Sequence, residues 1–187
     1  MHIYIDESGT FAIPTVAKRS VSCVVALVLP SSEHGEILGE FDRIRSRWLP
    51  RAQEIKGRQL NEAQVAEVIA FLRRWDVLVE AVLIDTGIHS HQQITDVRIG
   101  QAEGLTKHIT SEYPAASAQW LRGLGEILRG MSNQLFAQAF LTISLIENVL
   151  QIGSLYNCQR RPEELAEFHW VVDAKEAGIT RYEYLWN

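Results

Sequence analysis

The sequence predicts an α/β fold around a small sheet, and three observations carry that expectation. Short runs rich in alternating or β-branched residues (His2 to Ser8, Val21 to Leu29, Val77 to Ile84, Phe168 to Val172) are separated by segments with apolar residues at helical spacing. The first run carries Asp6–Glu7, and Asp173 follows the last. At 187 residues, 47% of them hydrophobic, the chain suits one domain and can bury a core without staples.

Ile3 and Ile5 alternate before the polar Asp6, and Gly9 breaks the pattern, so the first strand runs into a loop. Val21 to Leu29 stops at Pro30 and predicts a second strand buried on both faces, with Cys23 as an ordinary buried thiol. Ser31 or Ser32 is the expected cap of a helix presenting Ile37, Leu38, Phe41, Ile44 and Trp48, ended by Pro50. Asn61 with Gln64 forms a capping box for a helix whose apolar face would be Val65, Val68, Ile69 and Leu72. Val77 to Ile84 is a third strand, closed by the turn Asp85–Thr86–Gly87.

One helix is expected around Val97 to Ser111, stopped by Pro114. Ser117 to Cys158 is helical, divided by Gly123, Gly125 and Gly130. Pro162 suits the first turn of a short helix, Glu163 to Glu167, before the fourth strand. Thr180 to Asn187 has the pattern of an opening amphipathic helix, as in a fragment of a longer protein. If the acids of the first and last strands are to share one sheet edge, the fourth strand must lie beside the first and parallel to it. Strands one to three would then follow in order, antiparallel, and the long connection from Asp85 to Phe168 serves as the crossover.

Two cysteines imply no disulfide framework. Met1 leads straight into a strand without a basic or apolar leader, and a cytoplasmic location is expected. The apolar stretch Leu135 to Leu150 is interrupted by Gln138, Glu147 and Asn148 and reads as a core helix, too short and polar to span a bilayer. A net charge of −5 argues against a generic nucleic-acid binder. It does not exclude a nuclease, because bound cations reverse an acidic pocket's field. The cluster Arg43, Arg45, Arg47, Arg51, Lys56 and Arg58 reads as a solvated helix face and loop rather than a phosphate patch.

Asp6, Glu7 and Asp173 are the candidate metal ligands, because carboxylates at strand ends converge where α/β folds place their sites. Such oxygen donors suit Mg²⁺ or Mn²⁺, which activate water and stabilise a leaving phosphodiester oxygen. In Glu54-Ile55-Lys56-Gly57, side chains two apart on an extended segment point the same way, so Glu54 could hold metal while Lys56 meets a phosphate. Gly57 would let the backbone pass closely behind. His89 and His91 lack a third ligand at zinc spacing. Ser8 lacks the nucleophile-elbow context, and no phosphate-cradling or dinucleotide fingerprint occurs.

Taken in order, Tyr4-Ile5-Asp6-Glu7-Ser8-Gly9-Thr10-Phe11, Glu54-Ile55-Lys56-Gly57 and Val171-Val172-Asp173 resemble the bacterial and phage domain-of-unknown-function 3800 family over essentially the whole chain. The resemblance implies a ribonuclease-H-like domain spanning 1–187, shortened at its C-terminus, with a metal-dependent nuclease site of Asp6, Glu7, Glu54, Lys56 and Asp173. It implies nucleic acid as partner, with settings such as phage defence or mobile elements. Family members add a Q-x-x-D-type helix carrying a further acid, and this sequence ends before one. Two alternatives stand beside it. One is a non-catalytic ribonuclease-H-like scaffold. The other is a restriction-type nuclease on Glu54 and Lys56, with Asp42 as the upstream acid.

Overall fold

A computed structural model describes residues 1–16, 18–48 and 55–172. The strands are β1 (His2–Ser8), β2 (Val21–Leu29), β3 (Leu78–Asp85) and β4 (His169–Val172). The helices are α1 (His34–Arg45), α2 (Glu62–Leu72), α3 (His91–Thr106), α4 (Ala115–Gly130) and α5 (Asn133–Arg160). Together they make an α/β fold whose single four-stranded sheet has the order β3-β2-β1-β4. β1 is therefore central. β4 runs parallel to it, with His2 opposite His169 and Ile5 opposite Val172. This is the strand order expected from the acid positions, and the crossover between β3 and β4 is helical.

The chain divides into two compact units. In the first (Met1–Ile5, Ala26–Glu80, Asn148–Val172), Leu29, Ile37, Ile44 and Phe71 form the buried core, wrapped by Tyr4, Phe41, Trp48, Trp75 and their neighbours. In the second, Asp6–Val25 and Ala81–Glu147 among the described residues, Ile94, Met131, Phe136 and Ala139 form the core against Ile13, Ile84, Leu128 and Leu135.

Several local expectations change for identifiable reasons. β2 is not buried equally on both faces: Ser22, Val24, Ala26 and Val28 are buried, while Cys23, Val25 and Leu27 are only half-buried. Neither Ser31 nor Ser32 caps α1. Glu33 occupies the cap position without a side-chain bond, and the N–H groups of Ser31 and Ser32 donate instead to the Glu164 carboxylate, at 2.7 and 3.3 Å. α2 has its Asn61–Gln64 capping box, but it turns Phe71, its largest apolar side chain, into the core. Val65 and Ile69 are left 40% and 52% exposed. Gly123 and Gly125 lie inside α4, and the division comes after Gly130. There Met131 adopts an extended conformation and buries its side chain, and Ser132 Oγ accepts the N–H of Leu135 to start α5.

α5 is 28 residues long and, by length and composition alone, apolar enough to cross a membrane. The apolar stretch 135–150 lies within this longer helix. Phe136, Ala137, Ala139, Leu141, Leu145 and Val149 are buried alongside the polar Gln138, Thr142 and Asn157, while Phe140, Ile143, Leu150, Ile152 and Leu155 are exposed.

Candidate functional site

Asp6 and Glu7 sit near the C-terminal end of β1, inside the strand. Consecutive strand residues project to opposite faces. Asp6 is exposed, and its Oδ1 accepts the N–H of Glu7 at 2.8 Å. Glu7 is half-buried, and its Oε2 accepts a short hydrogen bond from the Gln138 carboxamide on α5. Asp6 and Glu7, both candidate ligands, therefore project to opposite faces of the strand.

The segment after the acids is held in an unusual conformation. Gly9 has φ +103°, and a Cβ there would lie 2.7 Å from Ser22 Cα, so only glycine fits. Phe11 has φ +55°, a left-handed conformation costly for a bulky residue. Four sets of contacts fix it. Phe11 N–H donates to Ser22 Oγ at 2.9 Å, and Gln134 Nε2 donates to Thr10 O at 2.7 Å. The Thr86 hydroxyl lies 2.9 Å from both Ala12 O and Ser20 O. Asp85 Oδ1 accepts the N–H groups of Ser20 and Gly87, at 3.0 and 2.9 Å. The Ser20 and Gly87 N–H groups hold the Asp85 carboxyl below its ordinary range. Gly87 is needed for closeness, because a Cβ there would stand 2.0 Å from Lys18 O. The loop so fixed borders a cavity of about 310 Å³ lined by Thr10, Ala12, Pro14, Thr15, Val16, Lys18 and Ser20.

Glu54 and Asp173, the other two acids of the expected site, lie outside the described residues, as does Thr180 to Asn187. Lys56 lies in the first unit and is exposed, in extended conformation before a short 3₁₀ turn, Gly57–Gln59. Its N–H donates to Gln59 Oε1 at 3.1 Å. Among the described residues no atom approaches the place of a Gly57 Cβ within 4 Å, so close passage against them is not why glycine stands there. Asp42 is on α1, 66% exposed and paired with Arg45 at 3.0 Å. This removes the upstream acid that a restriction-type site requires. The basic cluster is partly spent on such pairs, Arg47 with Glu67 among them. Cys23 and Cys158 are free.

Among the described residues no three His, Cys, Asp or Glu side chains form a metal cluster. Asp6 offers an exposed, hard oxygen donor near the end of β1. That suits a Mg²⁺ ion that keeps most of its waters, and it does not suit a closed cage. Gln138 was legible only as an interruption of an apolar stretch. The signal that could have found it is the pair Gln134 and Gln138, one helical turn apart on an apolar helix, both reaching the acid loop. No family model, curated protein or solved structure matches the chain.

Proposed function

We propose that the chain is a ribonuclease-H-like, Mg²⁺- or Mn²⁺-dependent phosphodiester hydrolase acting on RNA or DNA in the cytoplasm. The observation that carries the reading is the β1–β4 ladder. Its last described pair is Ile5 with Val172, and the next residues in sequence are Asp6 and Asp173. The sheet order, with β1 central and β4 parallel beside it, is the one such a site needs. The strained, pinned segment after the acids supports it further, since backbone strain of this kind gathers at functional sites.

In this reading Asp6, an exposed carboxylate near the end of β1, anchors the ion. Gln138 fixes the Glu7 carboxylate, so that the strand end does not rearrange as charge accumulates nearby. The ion supplies a low-pKa water and neutralises the leaving oxygen. Labelled RNA, DNA and hybrid incubated with Mg²⁺ or Mn²⁺ test the activity. Asp6→Asn should abolish cleavage and Mn²⁺ binding and leave the melting temperature unchanged or slightly raised, because an asparagine oxygen can still accept the Glu7 N–H and a clustered charge is removed. No cleavage with any metal, together with no Mn²⁺ binding by calorimetry, sinks the reading.

A second reading is a non-catalytic scaffold, which the net charge of −5 favours. Calorimetry separates the two, because a scaffold does not take up Mn²⁺ through Asp6.

A further inference from the structure

Three histidines from three elements of the first unit stack on one another. His2 on β1 stacks on His34, the first residue of α1, with ring centroids 3.7 Å apart and planes 8° apart. It also stacks on His169, the first residue of β4, at 4.6 Å and 18°. The Tyr4 hydroxyl is 2.7 Å from His34 Nε2. The stack lies over the first rungs of the β1–β4 ladder, where His2 is the cross-strand partner of His169 and the His169 N–H donates to Met1 O at 2.9 Å.

The surroundings suit a neutral His2 ring. Like charges directly across a ladder are destabilising. The Met1 ammonium, 1% exposed, is a fixed cation close by. Burial first, and then His34, His169 and that ammonium, hold His2 below the ordinary imidazole value, with Glu164 opposing them. Glu164 is already engaged by the Met1 ammonium at 3.1 Å and by the Ser31 and Ser32 N–H groups, and its own pKa is held down to about 2, far from the imidazole range. Glu167, 3.4 Å from His169 Nε2, is 75% exposed and offers only a weak counter-charge.

We propose that this stack is a pH-operated latch on β4: neutral, it holds β4 against β1, and protonated it releases the ladder from its His2–His169 end. Since His2 binds its proton more readily in the unfolded chain than in the folded one, the latch is fully closed above the ordinary imidazole range. It weakens as the pH falls below about 6.5. The release does not depend on the nuclease reading; only its consequence, loss of order at the strand ends next to Asp6 and Asp173, rests on it.

Hydrogen exchange of the His169 amide, corrected for intrinsic rates, tests the latch on the full chain. Protection should fall from pH 7.5 to pH 5.5, because the unfolded chain binds the His2 proton more readily than the folded one. His2→Phe keeps a ring in the stack and removes the charge, so its protection should stay level. Unchanged protection in the wild type, or the same fall in the variant, overturns the proposal. If His2→Phe does not fold, imidazole titration by NMR in the wild type decides. His2 titrating at the ordinary value, without perturbing the His34 and His169 resonances, also overturns it. Metal-dependent cleavage that is absent at every pH, with the latch intact, would fault the nuclease reading alone.

Discussion

Gln138 is 9% exposed on a helix whose other buried residues are mostly apolar, and its carboxamide donates to the Glu7 carboxylate. A hydrogen bond to a charged group contributes about 1.5–3 kcal/mol. Gln138→Leu should therefore lower stability by roughly 2 kcal/mol in urea unfolding. In a double-mutant cycle with Glu7→Gln the two changes should be non-additive; additivity would mean that the bond is incidental. The glycines make a matched contrast. Gly9→Ala combines a positive φ with a clash against Ser22 backbone and should cost at least about 2 kcal/mol, whereas Gly57→Ala meets open space and should stay within about 0.5 kcal/mol of wild type. Thermal melts of the two variants side by side check both. The acids themselves were plain in the sequence because a polar pair interrupts strand alternation. Gln138 was not, because its partner is 131 residues away.

At the scale of elements, β1 and β2 have the bounds the sequence predicts, since Gly9 and Pro30 end their patterns and alternation needs no distant information. The α1 cap was illegible for the opposite reason. Ser31 and Ser32 are good local caps, but a carboxylate more than 130 residues away in sequence takes their N–H groups. The orientation of α2 likewise follows from Phe71 finding room against Ile37 and Ile44, a tertiary fact that overrides the spacing of smaller apolar residues. The carboxylate that displaces the α1 cap has a measurable consequence. Glu164 is 3% exposed; burial alone would raise its pKa, but the Ser31 and Ser32 N–H groups and the Met1 ammonium outweigh that and bring it to about 2. A carboxyl depressed in the folded state contributes stability above its unfolded value, about 4.5, and loses it as the pH falls toward 2. Acid unfolding of the wild type should therefore show a stability loss on the order of 2 kcal/mol across that window, after discount for solvent screening. In Glu164→Gln the loss should be absent, with lower stability at pH 7. A variant with an unchanged acid limb would show that Glu164 is not the group responsible.

Over the whole molecule, each compact unit has its own apolar cluster, yet β1, β2, β3 and α5 each contribute residues to both. β1 passes from one to the other between Ile5 and Asp6, and α5 between Glu147 and Asn148. A helix unwound in one half loses the hydrogen bonds that propagate into the other, and a strand displaced at one end drags its ladder. The two clusters should therefore melt as one transition, although they share no residue. Ile37→Ala removes buried side chain from the first cluster and Ile94→Ala from the second, each at a cost of about 2–5 kcal/mol. Both variants should move the urea midpoint read by far-UV circular dichroism and by tryptophan fluorescence together, with an unchanged slope. A biphasic curve in either variant, or a midpoint that shifts for one probe and not the other, would mean that the units unfold independently. Crossing elements would then not be enough to couple them.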